Sequence, residues 1–445
     1  MPSLHQTPAP CQWFDRLAAA VDKRSAPRLA LLFLGAVIAR GRRTVTTWIR
    51  AAGLSDLFRP CYTAVAAAGK EAETVAAYLV LWAVKPLAAG AERLTLAIDD
   101  TPTRRYGPHV QGAGVHHNPT PGPAGAPYVY GHVFVVLAPL LTHKAWGVVA
   151  LPLLSRLYVR KKDLPTIHPK HRPTFRTKLE LAVELLRWAK PLLGSWGKPL
   201  WVVTDGAYAK KEFLKPVIAL GLTAVSRLRC DAALWSLPPA VPGGRRGPGR
   251  PRVYGTERIS LAKRGGQRRG WTTEEFALYG ERVTKRYKTF LATWRPAGGV
   301  IRVVLVDEPT GWRAYFCTDP SASVADILTA VAGRFSLEIT FRECKQVVGA
   351  GQQQVRLIWA NVGAFHVCLW TFTMTEAWAW DRPASELVDR SDSPWDSPSR
   401  RPSHADKRRA WRRALLAGEI QAVLRPGVTA EEIQATAERL LSLAA

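Results

Sequence analysis

Acidic residues are scarce in this chain. Asp and Glu together number 35 against 62 Lys and Arg, leaving a formal net charge of +27. So large a surplus costs self-repulsion in a compact state, and a polyanionic partner would offset it. Cysteine is sparse as well. Cys11, Cys61, Cys230, Cys317, Cys344 and Cys368 include no CxxC pair, which argues against a disulfide framework and a thiolate zinc site, and for a reducing compartment. The opening MPSLHQTPAPCQWFDRL lacks a basic-then-apolar leader pattern. No fully apolar run reaches the roughly 18 residues that a membrane helix needs. The closest stretch, residues 357–375, is uncharged but carries Asn361, His366, Thr371, Thr373 and Thr375. No internal repeat is visible. These absences lead to the expectation of a soluble cytoplasmic protein.

What is present suits a folded body. The 445 residues are 47% hydrophobic and 22% charged, enough for two or three domains around a sizeable core. Residues 1–90 read as a helical N-terminal domain, Ala/Leu-rich at 29–38, 64–68 and 76–84, with breaks at Gly53 and Pro60. The basic cluster Arg40-Gly-Arg-Arg43 suits this domain to binding a DNA end, and a structural helical cap is the equal alternative. From residue 91 the periodicity changes. The runs LTLAI (94–98), VFVVL (133–137) and GVVAL (147–151) are short, apolar and bounded by breakers, as strands are. A helical pattern at 178–189 and a strand LWVVT (200–204) follow. Residues 91–225 therefore read as the first part of a mixed α/β sheet flanked by helices. A β-rich insertion spans 226–321, opening with the Pro/Gly/Arg loop at 238–252. Helical spacing returns at 324–332 and again at 335–348, within a helical segment 322–380. Residues 381–445 form a linker and a basic helical tail.

Two of the strands end in aspartate. LTLAI runs into Asp99-Asp100-Thr101, and LWVVT into Asp205-Gly206. Strand ends project side chains to the edge of a sheet, where ligand and metal sites tend to lie. Carboxylate oxygens suit Mg²⁺ or Mn²⁺, and two such ions about 3.5–4 Å apart can serve phosphoryl transfer. A strand-end Asp also commonly starts a turn or caps the next helix. The third element is RFSLEITFRECK (334–345). At about 3.6 residues per turn, Arg334, Glu338, Phe341, Arg342 and Lys345 share one face, whereas Glu343 lies about 140° from Glu338. That face could be a phosphate-binding surface around one carboxylate, or an exposed helix with i,i+4 ion pairs.

The ordered set Ile98-Asp99-Asp100-Thr101, Val203-Thr204-Asp205-Gly206-Ala207-Tyr208 and Arg334-x3-Glu338-x6-Lys345 resembles the DDE transposases of bacterial insertion sequences. More narrowly, it is similar to the subgroup with a β-rich insertion between the second Asp and the Glu. The resemblance covers roughly residues 90–360 and extends less specifically to Ser226-Arg227-Leu228 and Gly249-Arg250-Pro251-Arg252. It implies an RNase H-like core in which Asp99, Asp205 and Glu338 hold two Mg²⁺ (or Mn²⁺) ions, with Asp100 as the alternative to Asp99. It implies that Arg334 and Lys345 grip phosphates near the transposon end. Arg342 shares their helix face, and Arg250 and Arg252 sit on a loop that would track the DNA backbone or enter a minor groove. The family's Tyr three positions before the Arg is Val331 here.

The implied reaction is metal-dependent cleavage at the terminal inverted repeats, then attack of the freed 3′-OH on target DNA, carried out by a homodimer on double-stranded DNA in the nucleoid. A transposase-derived DNA-binding protein without activity, or a nuclease without strand transfer, would share most of these features. Other expectations are more local. His116-His117 is not a metal pair, the basic run at 407–413 makes nonspecific phosphate contacts, and residues 358–378 pack behind the core as a buried helix.

Overall fold

The computed structural model describes residues 12–118, 125–239, 252–391 and 393–444. The N-terminal Ala/Leu-rich stretches form helices α1 (Gln12–Ala18), α2 (Ala26–Ile38), α3 (Val45–Ala51), α4 (Phe58–Lys70), α5 (Ala72–Leu79) and α6 (Lys85–Leu87). Five strands follow: β1 (Leu94–Arg104), β2 (Gly114–His117), β3 (Tyr128–His143), β4 (Gly147–Ala150) and β5 (Leu154–Tyr158). Then come α7 (Lys178–Gly194), β6 (Leu200–Thr204), α8 (Lys211–Ala219) and β7 (Thr223–Leu228). A capping box between Thr177 and Glu180 sets where α7 begins.

The mixed sheet expected from the sequence is there. β1 lies antiparallel to β3 and parallel to β6, β6 is parallel to β7, and β2, β4 and β5 all pair with β3. β6 is buried along its whole length, as a central parallel strand covered on both faces should be. β1 runs past its two aspartates because β3 continues to pair with it as far as Arg104. Its pairing with β6 ends at Ile98, so Pro102 sits where that edge of β1 is unpaired, a setting that tolerates strand proline.

The segment after β7 extends this same sheet. It contains β8 (Leu234–Trp235), β9 (Arg258–Ile259), helix α9 (Leu261–Gly266), β10 (Thr272–Leu278), β11 (Glu281–Trp294), β12 (Gly299–Asp307) and β13 (Arg313–Cys317). β13 pairs with β7, β12 with β13 and β11 with β12, all antiparallel, so the described residues form one 13-stranded sheet. Arg252 is exposed and lies between β8 and β9 in the chain, whereas Arg250 and most of the Arg/Pro/Gly loop lie outside the described residues.

The C-terminal part is helical: α10 (Val324–Glu343), a π turn (Cys344–Val348), α11 (Ile358–Ala379), α12 (Ala384–Leu387), α13 (His404–Val423) and α14 (Ala430–Ala444). The two helical patterns at 324–332 and 335–348 belong to one helix. Gly333 does not break it; a Cβ there would sit 3.2 Å from Leu140, so glycine lets α10 lie close on β3. α11 is almost wholly buried, its Asn361, His366 and Glu376 included, as expected of a core helix. It crosses α4 at two glycines. A Cβ on Gly69 would strike the Trp359 carbonyl, and one on Gly363 the Val65 carbonyl. No helix among the described residues is long and apolar enough to cross a membrane, and the five described cysteines are all free.

The basic run at 407–413 departs from the expected phosphate contact. Lys407 Nζ donates to the buried carboxylate of Glu376 (2.5 Å), and Arg408 donates to the carbonyls of Ala36 (3.1 Å) and Ala39 (2.7 Å). Arg412 donates to the Ile38 carbonyl (3.0 Å), while Arg409 and Arg413 pair with Asp406 and Asp389. Lys407, Arg408 and Arg412 satisfy a carboxylate and carbonyls that α13 covers when it docks on α2 and α11, so their charge serves the fold. Arg409 and Arg413 are exposed in their pairs.

Candidate active site

The geometry starts from the register of two strands. β1 and β6 run parallel with Ile98 beside Thr204, so the next residue of each chain is an aspartate, Asp99 beside Asp205. Residues at matching positions of parallel neighbours point to the same face, and such strands lie about 4.8 Å apart. Asp205 precedes a short 3₁₀ turn (Gly206–Tyr208), but its side chain makes no capping hydrogen bond. Its carboxylate is exposed.

Asp99 reaches the helix that covers this face. Its Oδ2 accepts from Arg334 Nη1 (2.8 Å), and its Oδ1 accepts from the backbone N–H of Asp100 (2.8 Å). The other arm of the same guanidinium, Nη2, donates to Glu338 Oε1 (2.6 Å), one helical turn along α10. Residues 235 apart in sequence thus meet, and Arg334 bridges the carboxylates of Asp99 and Glu338. Burial raises the Asp99 carboxyl to about 6; Arg334 and the Asp100 N–H oppose this, and the neighbouring charges of Asp100 and Asp205 reinforce it. Burial disfavours the charge on Arg334, but Asp99, Glu338 and Asp205 outweigh it and raise its pKa overall.

Asp100 points the other way, as alternation along a strand requires. It accepts from Lys178 Nζ (2.6 Å) at the start of α7 and from the Tyr208 hydroxyl (3.3 Å). Burial, with the charges of Asp100, Asp99 and Asp205, pushes the Tyr208 phenol well above its usual range. Tyr208 falls within the quoted motif, but the sequence assigned it no role. Lys178 carried no signal, because its contact with a strand far away in sequence leaves no local pattern.

The remaining candidates lie elsewhere. Arg342 is exposed and pairs with Glu343 (3.6 Å) rather than with Glu338. Lys345 lies beyond the end of α10, in the π turn, and lines a groove with Thr103, Arg104 and Gln352. The α-helix that carries Arg334 and Glu338 ends at Glu343, and the winding changes to a π turn from Cys344. His116 and His117 point to opposite sides of β2, one buried and one exposed. Beside Asp205 a cavity of about 470 Å³ opens between Arg227, Arg229, Trp312 and Arg313.

Among the described residues no three His, Cys, Asp or Glu side chains form a ready-made metal cluster. At the strand ends Arg334 supplies the positive charge between Asp99 and Glu338. The donor chemistry nevertheless fits a hard divalent cation. The Asp99 carboxyl is held high partly by its acidic neighbours, and only one guanidinium balances three carboxylates that offer hard oxygens.

The family model of the DDE superfamily endonuclease matches residues 16–297. The match takes in the N-terminal helices, Asp99, Asp100, Lys178, Asp205 and the strands through β11, and it stops before α10. A search of the curated proteins finds none that matches.

Proposed function

The chain belongs to the DDE superfamily endonucleases, and we propose that it is a transposase that cuts the ends of an insertion sequence and joins the freed 3′-OH to target DNA. The observation that carries this reading is the meeting of Asp99 and Glu338 at one guanidinium, with Asp205 in register beside Asp99. Asp99, Asp205 and Glu338 would hold divalent ions, Mg²⁺ or Mn²⁺, on the α10 face of the RNase H-like sheet. Such a pair of ions, when bound, supplies charge for both the attacking and the leaving oxygen of a phosphodiester.

The chain's own groups do the rest. The rigid strand ends hold two carboxylates side by side, which fixes where the scissile phosphate must sit. Arg334 keeps the carboxylates together while no other cation is present; released from Glu338, its guanidinium is placed to grip a phosphate oxygen. Asp100 is a positioning residue, tying the end of β1 to α7 through Lys178 and to β6 through Tyr208. The duplex substrates are the terminal inverted repeats and the target, and two ends cut together call for a homodimer.

The test is cleavage and joining by the purified chain on duplex DNA carrying the repeats that flank its coding region, with Mg²⁺ and with EDTA. Cleavage with Mg²⁺ and none with EDTA is expected, and joined products distinguish a transposase from a hydrolytic nuclease. Asp205→Asn and Glu338→Gln should each bind the duplex as the parent does and fail to cut it. Full cleavage by either variant overturns the site.

A further inference from the structure

A second cationic feature lies at the far end of β1, and the carboxylate centre does not use it. Two adjoining grooves of about 320 and 710 Å³ share Arg104, Gly351 and Gln352. Lys345 lines the first, and Arg42 and Tyr106 line the second. Neither is lined by a carboxylate among the described residues. Another cavity, of about 770 Å³, differs in this respect. Its Arg156 pairs with Glu73, and its Arg176 with Glu184, so much of its charge is spent within the fold.

The groove wall is built to stay in place. Gly349 and Gly351 take left-handed backbone conformations, with φ of 90° and 94°, that other residues rarely adopt. The loop they shape is tied down from below. Arg105 Nη1 donates to the Gly351 carbonyl (3.0 Å), and Gln353 Nε2 donates to the carbonyls of Arg43 (2.6 Å) and Gly349 (2.9 Å). Gln352 Oε1 accepts from the backbone N–H of Arg43 (2.7 Å), which fixes the amide's orientation and turns its NH₂ away from that contact.

More positive charge lies behind this wall, outside the lining of the grooves. Arg105 is buried, and its Nη2 has no partner; the buried Nε of Arg43 has none either. Burial also holds the Lys345 ammonium below its usual range. Desolvated cations without carboxylates are costly, and an anion seated above them would offset that cost.

We propose that these joined grooves bind the sugar–phosphate backbone of duplex DNA flanking the bond that is cut. Arg42, Arg104 and the Gln352 amide donate to phosphate oxygens, and Tyr106, 64% exposed, adds its hydroxyl at the rim. With the Gln352 oxygen already engaged by the Arg43 N–H, these side chains offer chiefly donors, which suit phosphate oxygens, and phosphate contacts position DNA without reading its sequence. Arg104 is five residues past Asp99 on the same strand. At a rise of about 3.3 Å per residue that is about 16 Å, or about five base-pair steps of ~3.4 Å along the duplex. The inference rests on the reading of the carboxylate centre as a DNA-cutting site.

The experiment measures affinity of the full chain for a fluorescent 40-base-pair duplex of random sequence, in EDTA, across a salt series. The Arg42→Ala/Arg104→Ala double variant should flatten the slope of log K against log salt by about 2, since each phosphate contact contributes roughly 0.9. Arg42→Gln and Arg104→Gln alone should each flatten it by about 1, which covers the case of a double variant that folds poorly. Gln352→Ala should weaken binding about threefold with the slope unchanged, as loss of a neutral donor would at ~0.6 kcal/mol. On the duplex carrying the flanking repeats, hydroxyl-radical footprints should lose protection about five base pairs from the cut position in the arginine variants. Parent-like slopes in both single variants, with the parent itself binding, overturn the groove alone. A parent that does not bind duplex DNA overturns the cutting-site reading and the groove with it.

Discussion

Glu376 and Asp99 are both carboxylates held against cations inside the fold, yet their acidities move in opposite directions. Burial alone would raise Glu376, but Lys407 and His404 both contact it and bring it down to about 2. Asp99 has one guanidinium, shared with Glu338, and two acidic neighbours, and its carboxyl stays raised at about 6. One cluster is charge-matched and closed; the other holds more negative charge than its cation neutralises. A fold keeps the first for its own stability. The second is under-compensated in a way that a bound cation would correct, and strongly perturbed groups of that kind concentrate at functional sites.

That contrast can be broken most directly on β1. Asp99→Asn should lower Mg²⁺-dependent cleavage by ~10²–10³-fold or more, the scale of removing one group that stabilises developing charge. Asp100→Asn, on the opposite face, should cost less than about tenfold. Equal losses from the two substitutions, measured as initial rates on one duplex, would erase the distinction between the faces.

The closed cluster should answer in stability. Lys407→Met strands a buried carboxylate and should lower the unfolding free energy in urea by about 3–5 kcal/mol. Adding Glu376→Gln to it should recover much of that loss, because no charge is then left alone. A double variant no more stable than Lys407→Met would mean that the cluster is not charge-matched as described.

The pH dependences should run in opposite senses. Glu376 has a folded pKa below its unfolded value, so its contribution is present above about 4.5 and is lost as pH falls towards about 2. Asp99 has a folded pKa above its unfolded 3.8, so its contribution is full below 3.8 and is lost as pH rises through about 6. The second effect is at most roughly 3 kcal/mol. It is read as the difference in urea stability between the parent and Asp99→Asn from pH 3 to 7, and a flat difference would contradict the raised carboxyl. The smallest effect belongs to Lys178→Met. Its partly exposed pair with Asp100 should be worth under about 1 kcal/mol, with a modest fall in cleavage rate.

Much of this arrangement was legible in the chain. Short apolar runs bounded by breakers marked β1, β3 and β6, because buried strands carry that pattern whatever their partners. Arg334 and Glu338 were legible as one helix face because an i,i+4 pair is local. What could not be read is where distant pieces meet. The sequence favours Asp99 and keeps Asp100 as the alternative, since which of two neighbours faces α10 depends on packing. The inward turn of Lys407 and Arg408 was hidden for the same reason: a basic run looks alike on a solvated face and on one docked over carbonyls. β1 looked shorter than it is because its far end is held only by β3.

The backbone ladder from β6 through β7 to β13 and β12 has no gap. Cys317 pairs with Val225, and just beyond it the Thr318 N–H donates to the Ala224 carbonyl (3.0 Å) while the Ala224 N–H donates to the Thr318 hydroxyl (2.8 Å). A continuous ladder offers no joint at which the outer strands could swing. They and the centre of the sheet should therefore melt as one unit in calorimetry, and an object resting on β11 or β12 would be carried at a constant offset from Asp205, like a mark on a rigid rule.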